Sequence, residues 1–122
     1  NACMKVCPTD AIVSDRFQIY AQRCLTFHNE RSENFADWLL PGWHNCLVGC
    51  MICQKACPAN KDVVKWIEAG ATFDNEETEL ILSGVSKERL PQETLEKIKR
   101  LDMMRYYDVL RRNLKALIEK SR

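Results

Sequence analysis

Cys50-Met51-Ile52-Cys53-Gln54-Lys55-Ala56-Cys57-Pro58 decides the fold: three thiols spaced by two and then three residues, with a proline directly behind the last. This is iron–sulfur spacing. A cubane cluster needs four thiolates converging on one small volume. Two cysteines separated by two residues reach neighbouring irons from one tight turn, whereas the cysteine before proline in two-cluster ferredoxins is turned toward the other cluster. The stretch therefore predicts two metal centres. Its tail is repeated at the start of the chain, Cys3-Met4-Lys5-Val6-Cys7-Pro8. Ferredoxin motifs run Cys-x-x-Cys-x-x-Cys-x-x-x-Cys-Pro, and the first copy holds only the last two of these cysteines. That spacing, with Asn1 in place of an initiator Met, predicts a chain cut inside the motif, with two ligands upstream.

The chain has 122 residues, 46% of them hydrophobic, enough for one domain to bury a core. All seven cysteines fall in the first half, which is poor in Leu and Ile. This half is expected to be stabilised by metal, because cluster ligation couples binding to folding. The odd cysteine count and the paired spacing argue against an extracellular disulfide framework and for a reducing cytoplasm. No stretch approaches the apolar length that spans a bilayer, so no membrane contact is expected. The net charge of +1 hides an asymmetry: Asp62 to Glu96 carries nine acidic and three basic residues, Lys97 to Arg122 nine basic and three acidic. The bland account of that basic end is a solvated helix face, since it lacks the interleaved aromatics or glycines of a nucleic-acid motif.

The fold class expected is α+β, mostly α: a double-cluster domain over residues 1–60, with a helical insertion at about 32–43, then a helical subdomain over 61–122. After Cys7-Pro8, the β-prone runs Ala11–Val13 and Phe17–Tyr20 flank Asp15-Arg16 and predict a hairpin. It resembles the small sheet of ferredoxin-like folds, with Ile12, Phe17 and Ile19 excluding water from a cluster. Ser32 can cap a helix over 34–40 that Pro41-Gly42 stops. Asn60 can cap a helix over 61–69, with Val63, Val64 and Ile67 inward and Gly70 at its end. Asp74 and Glu77 form a capping-box start for a helix ending at Gly84. Pro91 suits the first turn of the next helix, striped by Leu95, Ile98 and Leu101. The last helix, from about 102 to 120, sets Met103, Tyr107, Leu110, Leu114 and Leu117 at steps of four and three, a core stripe.

Counting thiols, one cluster draws on Cys3, Cys57 and two upstream cysteines. The other has Cys7, Cys50 and Cys53, and its fourth ligand is Cys24 or Cys46. A lone cysteine is usually a small core hydrophobe, but the count favours a ligand. His28 and His44 lack a paired cysteine at metal spacing and read as surface or hydrogen-bonded imidazoles. Zinc is the main alternative metal, with Cys46, Cys50, Cys53 and Cys57 as a local set; two Cys-Pro endings have no use in such a site. The chain shows no Cys paired with a positioned His, no phosphate loop and no paired histidines, so it carries no catalytic site of its own. Two functions follow. One is an electron-transfer module with two [4Fe-4S] clusters inside a larger reductase. The other is a non-redox metal-stabilised module whose basic last helix contacts RNA or protein.

Residues 3–12, Gln22-Arg23-Cys24 behind the hairpin, and Gly49-Cys50 through Cys57-Pro58 with Asn60 resemble the double-cluster region of the epoxyqueuosine reductase family, cobalamin-dependent enzymes of queuosine tRNA modification. The same region is similar to that of reductive dehalogenases, and Arg112-Asn113-Leu114 more weakly resembles the family's C-terminal helices. The resemblance implies that Cys7, Cys24, Cys50 and Cys53 hold one cluster and that Cys3 and Cys57 serve the other, leaving Cys46 as an extra thiol. It further implies a cobalamin-binding N-terminal domain as intramolecular partner, an electron donor such as ferredoxin or flavodoxin, and a tRNA substrate. The chain departs from the family pattern at Ala59, where tryptophan is usual, over Ser32 to Trp43, and at Cys46.

Overall fold

The computed structural model describes residues 1–16 and 18–121. Each Cys-Pro motif closes a five-residue helix: α1 spans Ala2–Val6 and is capped by Cys7, and a later helix over Ile52–Ala56 is capped by Cys57. The two capping cysteines share one extended conformation, φ −67°, ψ 114° and φ −70°, ψ 122°. The proline behind each forces that departure from helix, because a residue before proline is driven out of the α region. The repeated sequence is thus a repeated turn.

Between them, β1 (Ile12–Val13) pairs antiparallel with β2 (Gln18–Ile19), Ile12 opposite Ile19. This is the predicted hairpin, though Phe17, expected in its second strand, lies outside the described residues. A 3-10 turn over Ala21–Arg23 leads to Cys24, which caps α2 (Leu25–Asn29). The helix over Ile52–Ala56 is α3, and it packs against α1. Then follow α4 (Asn75–Ser83), α5 (Gln92–Arg100) and α6 (Tyr107–Lys120). The fold is therefore mostly helical with one small sheet.

Two expected helices are absent. The 32–43 insertion is irregular and holds only a 3-10 turn at Pro41–Trp43. Its apolar residues are anchored separately: Leu39 is buried, and the Phe35 ring lies 4.6 Å from that of His44 and 4.1 Å beneath the Arg112 guanidinium. The 61–69 segment is likewise no helix but a turn leading into irregular chain. Of its would-be inner face only Val64 is partly buried, with Val63 44% and Ile67 80% exposed, and so short a helix is marginal without tertiary packing. Its expected cap, Asn60, instead donates to the Gln54 carbonyl at 2.9 Å, closing the turn that contains Cys57.

The later helices follow their local signals. Asp74 accepts from the Glu77 N–H at 2.8 Å while the Glu77 carboxylate accepts from the Asp74 N–H at 2.9 Å, completing the capping box. Gly84 ends α4 at φ +76°, a left-handed position that a side chain would strain. Pro91 stands one position outside α5, as its N-cap. A separate 3-10 turn, Met104–Tyr106, precedes α6, so the last helix starts later than its stripe suggested. Ile81, Leu90, Ile98 and Leu110 form the core, and Leu47 and Val48 pack on it from the cysteine-rich half. Packing therefore runs across residue 60.

Candidate metal centre

Four thiols meet at one cavity of about 50 Å³, lined by Cys7, Cys24, Cys50 and Cys53 together with Pro8, Thr9, Ala11, Ile12, Ile19, Leu25 and Ile52. Local structure explains how each arrives. Cys7 leaves the end of α1 where Pro8 breaks the helix, and Cys24 stands at the N-terminus of α2. Cys50 follows Gly49, whose φ of +84° turns the chain, and Cys53 lies in the first turn of α3. The volume is several times the about 10–15 Å³ that one water requires. Apart from Thr9, every non-cysteine lining side chain is apolar. Ile12 and Ile19 both line it as expected of the hairpin, although Ile19 is 56% exposed and leaves that side open.

Hydrogen bonds converge on the sulfurs. The Ala11 N–H donates to Cys7 Sγ at 3.4 Å, with the Thr9 hydroxyl 3.6 Å away. Asn45 Nδ2 donates to Cys50 Sγ at 3.3 Å. Burial acts to raise the Cys7 thiol, but the bonds from Thr9, Ala11 and Ile12 outweigh it and hold the group below its ordinary value. Cys53 is pushed up, first by burial and then by the neighbouring Cys50 and Cys24. Sulfurs that line one apolar cavity, with donors aimed at two of them, suit a cationic iron core, and bonds to sulfur tune such a core's potential.

The other cysteines lie elsewhere. Cys3 on α1 and Cys57 at the end of α3 sit on packed neighbouring helices but outside the cavity. Cys46 is also outside, its Sγ donating to Asn45 Oδ1 at 3.1 Å. Of the two candidates for the fourth thiol, Cys24 lines the cavity and Cys46 does not. Among the described residues no three His, Cys, Asp or Glu side chains close on a point as a single metal ion requires. A zinc site would draw its sulfurs to about 2.3 Å from the ion. The local set Cys46, Cys50, Cys53 and Cys57 is not assembled here, since the cavity divides it. No disulfide joins any of the seven cysteines.

The histidines divide. His28 is a hydrogen-bonded imidazole, Nε2 lying 2.7 Å from the Gln22 carbonyl. His44 is neither surface nor bonded: it is 1% exposed and neither ring nitrogen has a partner. Burial, then the Arg112 and Lys120 charges, depress its pKa. The basic end is also partly turned inward. Lys97 pairs with Glu77, Arg111 donates to the Leu82 carbonyl, Lys120 to that of His44, and Arg112 to those of His28, Asn29 and Glu33.

Sequence reading missed the asparagines. Asn45 bonds to a cavity sulfur, and Asn29 and Asn113 are wholly buried and bonded to backbone. Nothing in the local sequence of Asn29 or Asn113 signals this, because the backbone partners of their side chains lie 20 to 84 residues away.

Residues 1–60 match the family described as the 4Fe-4S double cluster binding domain. The chain is 34% identical over 61 residues to the epoxyqueuosine reductase of Atelocyanobacterium thalassa, covering 48% of this chain and 20% of that protein. It is 39% identical over 59 residues to the Bacillus subtilis epoxyqueuosine reductase, 48% of this chain and 15% of that protein. The match to the Prochlorococcus marinus epoxyqueuosine reductase, 30% over 90 residues, takes in 72% of this chain and 28% of that protein. The chain thus spans between 15% and 28% of the length of these relatives. No solved structure matches. No helix among the described residues is long and apolar enough to cross a membrane. The first half of the chain is accordingly a 4Fe-4S cluster-binding domain of the double-cluster type, similar to that of the epoxyqueuosine reductases.

Proposed function

We propose that this chain is the electron-transfer module of a larger reductase. One [4Fe-4S] cluster is held by Cys7, Cys24, Cys50 and Cys53. A second is held by Cys3 and Cys57 with two cysteines from upstream sequence, in a ferredoxin-like arrangement. The observation that carries the reading is the apolar cavity onto which four thiols from three separate segments open. A cubane exchanges one electron with little structural change, so two of them make a wire, and burial with sulfur hydrogen bonds sets the potential. Arg111, Arg112 and Lys120 of α6 each donate to a backbone carbonyl, which favours this reading over that of a basic RNA-binding helix.

By likeness to the epoxyqueuosine reductases, the larger protein works in the cytoplasm. An N-terminal domain bearing cobalamin receives the electrons, a ferredoxin or flavodoxin supplies them, and a tRNA is the substrate. The chain's own residues hold, insulate and tune the clusters. Anaerobic reconstitution with iron and sulfide, read by metal and labile-sulfide analysis and by electron paramagnetic resonance after reduction, is expected to give a cubane signal. Stoichiometric zinc without labile sulfide would overturn the reading.

A further inference from the structure

We propose that Asn113, on α6 in the helical half, is a positioning residue of the cluster site: with Asn29 it fixes the backbone of residues 47–49 and thereby the place of Cys50. The inference rests on the reading that Cys50 is a cluster ligand. Asn113 is fully buried. Its Nδ2 donates to the Asn29 carbonyl at 2.8 Å and to the Leu47 carbonyl at 2.8 Å, while its Oδ1 accepts from Arg112 Nε at 3.1 Å and Nη2 at 3.0 Å. Every donor and acceptor of the amide is used. The Arg112 donors on one side and two carbonyls on the other leave only one orientation for it.

Asn29, also fully buried, continues the connection. Its Oδ1 accepts from the Gly49 N–H at 2.8 Å and its Nδ2 donates to the Gly49 carbonyl at 2.5 Å. Both backbone groups of the residue before Cys50 are thereby held by one side chain, at a left-handed φ of +84° that makes the turn. Apolar contact of Leu47 and Val48 with the helical core would keep α6 in place. The amides add what apolar contact lacks, a fixed direction for each peptide. A cubane needs its four thiolates positioned at once, and side chains that orient ligands from behind typically govern about 10–100-fold in metal affinity. The helical half is on this account part of the metal site.

The test compares the reconstituted chain with Asn113→Asp, which keeps the shape and the bonds from Arg112 but turns a carboxylate on two carbonyls. Ile98→Val serves as a stability control, lying in the core of α5 away from these amides. Gly49→Ala probes the turn directly: an added Cβ meets nothing within 4 Å, so only the backbone angle is disturbed. Asn113→Asp and Gly49→Ala are each expected to lose cluster to a chelator at least about tenfold more readily and to shift the resonance signal and midpoint potential. Ile98→Val is expected to keep the parent signal and potential. Parent signal and potential in Asn113→Asp would overturn the inference, as would an equal change in Ile98→Val at matched thermal stability. If Asn113→Asp does not fold, Gly49→Ala decides in the same way. Failure of the unsubstituted chain to bind sulfide-linked iron strikes the cluster reading itself; a parent that binds the cluster, with variants that keep its signal and potential, strikes only the positioning role.

Discussion

Cys24 and Cys46 separate the ligand assignment most sharply, because the two thiols are close to interchangeable in sequence terms and differ in place. Cys24 lines the cavity with Cys7, Cys50 and Cys53, whereas Cys46 stands outside and donates one hydrogen bond, at 3.1 Å, to Asn45. Replacing Cys24 by Ala removes one of four thiolates. A cubane carries about four irons, and a core left with three protein sulfurs is open to solvent and loses iron. Reconstituted Cys24→Ala is therefore expected to keep less than about half the parent's iron and sulfide after gel filtration. Replacing Cys46 by Ala removes one weak donor, a loss of about 1 kcal/mol. In a chain of this size that lowers the melting temperature by roughly 4 °C. Its iron content should match the parent, with at most a small shift in potential through the Asn45 amide, which also bonds Cys50 Sγ. The measurements are colorimetric iron and sulfide per chain and the resonance spectrum after reduction. Iron loss in Cys46→Ala with retention in Cys24→Ala would refute the assignment.

Three further outcomes concern the core and two titrating side chains. Leu110→Ala empties the centre of the core formed with Ile81, Leu90 and Ile98, and should cost about 2–5 kcal/mol in urea unfolding; a loss under about 1 kcal/mol would show that the core is not cooperative. Bonds from Lys97, from the Asp74 N–H and from Thr94 hold Glu77 at about 2, below its ordinary 4.5. The stability it gives is complete above pH 4.5 and lost as pH falls toward 2, so Glu77→Gln should flatten the acid limb of a pH–stability profile measured by denaturation. His44 has the opposite proton balance to a bonded histidine: its folded pKa lies below 6.5, depressed by burial and by Arg112 and Lys120, so the unfolded chain binds the proton first. Stability should fall as pH drops below 6.5 and level off beneath the folded value. His44→Phe, which removes both orphaned nitrogens beside Phe35, should abolish that limb and leave neutral-pH stability unchanged or raised.

Much of the chemistry was legible because it is local. Two Cys-x-x-x-Cys-Pro copies specify two short helices ended by proline, and the Asp74–Glu77 box and Gly84 delimit α4 through bonds made within a few residues. The stripe through Leu110 lies inward because period fixes which residues share a helix face. The expected helix at 61–69 fails for the complementary reason. Its apolar pattern is real, but only a surface to pack on would make it helical, and Trp66 and Ile67 find none in this chain.

The sequence by itself determined the class of metal site, since ligand type and spacing select it before any folding. Only the tertiary structure decided which thiols share a cavity: α1 packs on α3, and Cys24 enters from α2 where Cys46 does not. It also decided that the helical half reaches the site, through Asn113 and Asn29, whose partners lie up to 84 residues away. An asparagine carries the same amide wherever it stands. What it bonds to is set by which carbonyls the packed chain leaves beside it, and that is written in the fold and not in the neighbouring residues.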